Sequence, residues 1–223
     1  MTGIAAAPRT GESHTTLIVI TALLVAAMTW FVARTLHYLI DYSPTSYTGY
    51  FWPRRIGLVM HLSGGILALI TGLTQIWLGL THRTSGIHRV LGKVYATSIL
   101  VASMGGFYLA VTIPGPPAYR TGLMFLNVAW LVTTGMALYS IRTRRIQQHR
   151  EWMLRSYIVT FAFVTYRLGE KLVRQWVTVP DVPDADDVAV MMAWACWAVP
   201  LVLAEPLIQL QSMRRLGRSP PAR

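Results

Sequence analysis

His149-Arg150-Glu151-Trp152-Met153-Leu154-Arg155-Ser156-Tyr157 is the most polar point in a very apolar chain, and a helix starts inside it. The apolar run it opens predicts a helix over residues 152–176. At ~100° per residue, His149, Met153, Ser156, Thr160, Phe163, Arg167, Glu170 and Arg174 fall on one side of it. A histidine therefore sits at one end of a stripe, with an Arg/Glu cluster ~27 Å further along at 1.5 Å per residue. Such a stripe cannot face lipid. It must face other helices or a wet cavity, so a site is the default expectation.

The rest of the chain supplies the lipid. Of 223 residues 53% are hydrophobic and only 13% charged, with a mean hydropathy of +0.44. A soluble domain carries about 25% charged residues. This composition belongs to a polytopic membrane protein whose length one bundle accounts for. The net charge of +11 is no nucleic-acid footprint, because the basic residues lie in short loops between apolar runs. The lone Cys196 excludes an intramolecular disulfide. The first apolar run is long enough to span, and no small-residue cleavage site follows it, so a cleavable signal peptide is not expected.

Six spans are predicted, at about 17–40, 56–80, 90–113, 122–141, 152–176 and 188–210, each long enough for a ~30 Å core. Nothing alternates as a barrel strand must. Residues 1–16 and 212–223 read as polar and basic tails around a transmembrane domain of 17–211. With the N-terminus inside, the inner segments hold 13 of the 20 basic residues, and the outer side takes Asp181, Asp184, Asp186 and Asp187. The expectation is an all-α six-helix bundle with both termini cytoplasmic. The outer connections read as turns: a Tyr-rich segment ending in Trp52-Pro53, and Pro114-Gly115-Pro116-Pro117. In span 2, Gly64, Ala68 and Gly72 recur every four residues, a face for close helix packing or for a dimer contact.

Chemistry gathers at the span ends. At the inner end, His82, His88 and His149 lie on three spans. Two neutral imidazoles on facing helices can ligate a haem iron, given a glycine-sized gap, aromatic walls and cations for the propionates. His88 and His149 are the candidate axial ligands. Arg89, Lys93, Arg150 and Arg155 are candidate propionate partners, Gly92 the gap, and Tyr95 and Trp152 the walls. Alternatively His82, His88 and His149 together hold a divalent metal, or the histidines fix loops as interfacial hydrogen-bonding groups. At the outer end, His37, His61, Arg167 and Glu170 form a second polar group. It reads as a quinone head-group site, a second metal or haem site, or a satisfied network without a ligand. Glu205 is expected to pair with an inner arginine such as Arg155.

The pieces His61 before a glycine-rich span, Gly86-Ile87-His88-Arg89-Val90-Leu91-Gly92-Lys93-Val94-Tyr95, Trp130, and His149 to Tyr157 continuing to Arg167-Leu168 resemble a bacterial family of multi-pass membrane proteins, domain of unknown function 2306. The likeness covers about residues 55–170. It implies an architecture and no activity. A weaker likeness links the chain to transmembrane b-type cytochrome reductases, which have six spans and ligand histidines on alternating helices. There His88 and His149 match one ligand pair, while the second pair needs a histidine on span 4 that is missing here.

Three functions follow as expectations. The first is a haem b-binding electron-transfer subunit working with a quinone or other redox partner. The second is a small-molecule or ion transporter with a span 5 pathway gated by Arg167 and Glu170. The third is a non-catalytic scaffold or sensor subunit, as a homo-oligomer or within a larger complex.

Overall fold

The computed structural model describes residues 10–80, 86–176 and 185–216, and among them every regular element is a helix. The elements are α1 (Thr10–Thr35), α2 (His37–Ile40), α3 (Pro44–Phe51), a 3-10 turn (Trp52–Arg54), α4 (Arg55–Leu80), α5 (Gly86–Thr112), α6 (Pro117–Arg142), α7 (Ile146–Thr160), α8 (Ala162–Trp176) and α9 (Ala185–Leu216). Among the described residues, five helical stretches are long and apolar enough to cross a membrane: Ile18–Ile40, Pro44–Gly79, Gly86–Thr112, Pro117–Arg142 and Asp187–Arg214. α1 begins inside the stretch expected to be tail, and α9 runs past Leu210.

The expected fifth span is not one helix. It breaks at Phe161 (φ −78°, ψ −5°) into two 15-residue helices. The local sequence explains the break. Ile158-Val159-Thr160 is a β-branched run, stiff at χ1. Thr160 Oγ1 donates to Ser156 O at 2.8 Å, and Thr165 Oγ1 to Phe161 O at 3.3 Å. A hydroxyl that takes a helix carbonyl competes with the backbone ladder and bends the helix. The two halves nevertheless share one antiparallel register with α9. Arg155 meets Glu205. Fourteen positions on, Gly169 meets Met192, which lies thirteen positions back along α9.

Helices α4, α5, α6 and α7 pack in a ring, each on the next, and α9 covers α6, α7 and α8. α5 and α7 thus stand on a diagonal. The α4–α5 seam is the closest. A Cβ on Gly64 would lie 2.5 Å from Ser98 O, and one on Gly105 would lie 2.7 Å from His61 N. Glycine lets these backbones approach within van der Waals contact. A Cβ on Gly72 would collide with the rings of Tyr157 and Tyr95, at 2.5 and 2.8 Å. Of the uses expected for this glycine face, close helix packing is the one seen at Gly64 and Gly72, within the chain.

α1 lies outside this ring. Its Phe31 packs with Leu69 and Val164, while Ile18, Val19 and Leu23 stay exposed. The Tyr-rich connection is no bare turn. Ser43 Oγ caps α3 by accepting from Ser46 N at 3.3 Å. The rings of Tyr38, Tyr42, Tyr47, Phe51 and Trp52 meet edge to face or tilted, and the Tyr47 hydroxyl donates to Tyr38 O. Pro114 to Pro117 forms the expected tight connection, with Gly115 at φ +140°. At the opposite, basic end, Arg144 takes a left-handed conformation (φ 59°) between α6 and α7.

Candidate functional site: the axis of the four-helix ring

The middle of the ring is polar and closed. Tyr95 on α5 reaches across the diagonal to α7, its hydroxyl 2.8 Å from both Ser156 Oγ and Thr160 Oγ1. Trp130 Nε1 on α6 donates to Thr160 Oγ1 at 2.8 Å, and Thr134 Oγ1 lies 2.8 Å from Ser156 Oγ. Thr134 Oγ1 also faces Trp130 O at 2.8 Å. All five residues are buried. The four hydroxyls bring four hydrogens to five contacts, three among themselves and two to carbonyls. One contact is always without its proton, so the hydrogens have more than one arrangement of similar energy.

His88 and His149 stand at the basic end of the same two helices. Each lies seven residues, two helical turns, before a member of the Tyr95–Ser156 pair. Seven residues return to the same face, so both histidines lie below that contact at one depth. His149 Nδ1 is 2.9 Å from Ala137 O. A carbonyl only accepts, so Nδ1 carries the proton and Nε2 keeps its lone pair. His88 Nδ1 is buried and has no hydrogen-bond partner among the described residues. Beside them, a Cβ on Gly92 would meet only Gln75 Nε2, at 3.6 Å. Gln75 Nε2 donates to His88 O at 2.5 Å. His82 lies outside the described residues. No group of three or more His, Cys, Asp or Glu suited to a metal occurs among the described ones.

The other residues expected here divide. Arg89, Lys93 and Arg150 are exposed at this mouth. Arg155 is turned toward α9, where Nε and Nη2 donate to Glu205 Oε2 and Oε1 at 2.9 and 2.7 Å. Trp152 lies under the same guanidinium at 4.9 Å, and Gln209 Nε2 donates to Glu205 at 2.7 Å. The expected Arg155–Glu205 pair forms, and it occupies the arginine proposed for a propionate. Tyr95 belongs to the hydroxyl cluster two turns deeper.

The outer group does not assemble as a unit. His61 turns into the ring, with Nδ1 2.9 Å from Ala102 O and its face against the edge of Phe163, centroids 5.0 Å apart. Here too Nδ1 is the donor and Nε2 the acceptor. A Cβ on Gly106 would lie 2.6 Å from Asn127 Oδ1 and 3.0 Å from His61 Nδ1, so Asn127 and His61 are neighbours across α5. His37 is exposed and bonds locally, Nδ1 to Arg34 O at 2.7 Å. Arg167 and Arg174 both bind Glu170, at 3.2 Å each, with the two arginines on the exposed side of α8. The break at Phe161 thus ends the inward stripe at Phe163. Asn127 is at the depth of the outer polar group in the sequence, Trp130 enters there only through the family likeness, and Thr134 gives no signal among the other threonines of α6.

With this geometry in place, the comparison with known families is specific. The family model described as "Predicted membrane protein (DUF2306)" matches residues 58–208. The chain belongs to the DUF2306 family. The DUF2306 match opens three residues before His61 and ends three residues after Glu205, so it takes in the whole ring, both histidine positions and the Arg155–Glu205 pair, and leaves out α1. No curated protein and no solved structure matches the chain.

Proposed function

We propose that this protein crosses the cytoplasmic membrane six times, with both termini and the basic end on the cytoplasmic side, and carries electrons through a haem b held between His88 and His149. The observation that carries the reading is the diagonal histidine pair. Two imidazoles sit at one depth on opposite helices of a four-helix ring. One is anchored through Nδ1 to a carbonyl, the arrangement that orients a ligating histidine and raises its basicity. The other keeps a buried ring nitrogen without a partner among the described residues. That donor set fits a bis-imidazole iron.

When bound, the haem supplies one-electron chemistry. The chain's residues do the rest. Ala137 O fixes the His149 tautomer. Gly92 leaves room beside the pair. Arg89, Lys93 and Arg150 supply positive charge for carboxylates at the mouth. The hydroxyl cluster around Tyr95 closes the ring above and keeps water from running through it. The six-crossing reading is supported by the register with α9, which continues through the break at Phe161, and by the basic loops. The transporter reading is less favoured, because Arg167 and Glu170 satisfy each other on α8 instead of lining the ring.

The test is a reduced-minus-oxidised visible spectrum of the detergent-purified protein, with a pyridine haemochrome assay on the same sample. The expected result is a b-type signal near one haem per chain, lost in His88→Ala and in His149→Ala. A folded, colourless protein from haem-supplied cells overturns the reading.

A further inference from the structure

We propose that the half of the ring away from the basic end contains a ligand cavity, floored by His61 and Gly65, that takes the head group of a lipid-soluble hydroquinone. The cavity follows from three observations. The His61 ring points inward, with contacts to α5 at Ala102 and to α8 at Phe163, yet the residue is only partly buried. One turn along the same face, a Cβ on Gly65 would meet nothing within 4 Å, although the adjacent Gly64 is in hard contact with α5. The cause is the break at Phe161. α7 packs on α4, α6 and α9, whereas α8 packs on α9 and α1 and reaches α4 through side chains such as Phe163 against His61, so the fourth wall of the ring stands further from α4 in this half.

The chemistry of the lining selects the ligand. His61 Nδ1 is committed to Ala102 O, which leaves Nε2 as an acceptor. Asn127 beside it is buried. It donates Nδ2 to Leu123 O at 2.9 Å, which fixes its amide orientation and leaves Oδ1 without a donor among the described residues. Phe163 adds an aromatic wall. These groups offer acceptors, no net charge, and access from within the apolar span. A matching ligand is lipid-soluble, aromatic and rich in hydroxyl donors. A hydroquinone has those properties, and its oxidised quinone lacks the donors. The choice of hydroquinone rests on the redox reading above; the cavity itself does not.

Binding of decylubiquinol and of decylubiquinone to the full-length purified protein, followed by quenching of intrinsic tryptophan fluorescence, tests the proposal. The quinol is expected to bind at least about tenfold more tightly than the quinone, a preference one lost hydrogen bond accounts for. His61→Phe should abolish that preference. Gly65→Leu starts from a Cβ position with nothing within 4 Å, projects into the void, and should weaken both ligands at least about tenfold while leaving the melting temperature unchanged or raised. His88→Ala should leave binding intact, so a missing haem spectrum and a missing quinol site are separate failures. Equal affinity for quinol and quinone, or undiminished binding in Gly65→Leu, overturns the proposal. So does equal competition by a plain decyl chain, which identifies a void filled by lipid tails only.

Discussion

Thr160→Val separates a hydrogen-bonded cluster with one irreplaceable member from a set of interchangeable polar contacts. The four hydroxyls of Tyr95, Thr134, Ser156 and Thr160 share four hydrogens among five contacts. Removing the Tyr95 hydroxyl takes away one hydrogen and two contacts, which leaves three of each. Ser156→Ala and Thr134→Val also end in balance. Thr160 differs, because it alone accepts from Trp130 Nε1. Valine keeps the shape and the β-branch but leaves that buried indole N–H without a partner, a cost of about 1–3 kcal/mol. The balanced variants should each lose only about 0.6 kcal/mol, the typical worth of a hydrogen bond between membrane helices. A loss of about 2 kcal/mol lowers the melting temperature of a chain this long by about 4–8 °C. Thermal unfolding in one detergent, followed by near-UV circular dichroism, reads the series. If Tyr95→Phe or Ser156→Ala proves as costly as Thr160→Val, the hydrogen accounting is wrong.

Neighbouring glycines on α4 should respond in opposite directions. Gly64→Ala forces a Cβ to 2.5 Å from Ser98 O and should destabilise by about 1–3 kcal/mol. Gly65→Ala enters open space and should stabilise by up to about 1 kcal/mol through helix propensity; matched melting curves decide, and equal shifts would refute the α4–α5 register. Glu205→Ala leaves the Arg155 side chain, 11% exposed, without its counter-ion, and should cost about 1–2 kcal/mol given the exposure of Glu205. Gln209→Ala should cost under about 0.5 kcal/mol in the same assay, and a reversed order would show that the ion pair is not what ties α9 to α7. Arg144→Gly relieves a left-handed backbone (φ 59°) and should raise stability by about 0.5–1 kcal/mol, provided the loop conformation is retained in its amide spectrum.

Residues that act through periodicity were legible in the sequence, and residues that act through tertiary contact were not. Apolar length located five membrane-length helices, and the spacing of Gly64, Ala68 and Gly72 located the tight seam. Glu205 and Arg155 were foreseeable as partners because a charge in an apolar run needs one. The break at Phe161 was hidden, since a helical wheel assumes an unbroken ladder and cannot register a Thr160 hydroxyl competing for Ser156 O. That one event moved Arg167, Glu170 and Arg174 off the inward stripe. The hydroxyl cluster was half visible. Ser156 and Thr160 lay on the stripe, whereas their partners Tyr95, Trp130 and Thr134 come from two other helices and no sequence period relates them.

The order in which the helices pack has a consequence for biogenesis. Successive elements pack on one another from α4 through α7, so each helix released into the bilayer finds its main partner already waiting. Local pairing of this kind keeps loop-closure costs low and assembly fast. α1 is the exception, because the segments it touches around Leu69 and Val164 are made only later. Its apolar flanks at Ile18 and Leu23 suit a helix that must sit alone in lipid during synthesis. Its late and thin docking makes it the one span whose deletion should leave the remaining ring able to assemble.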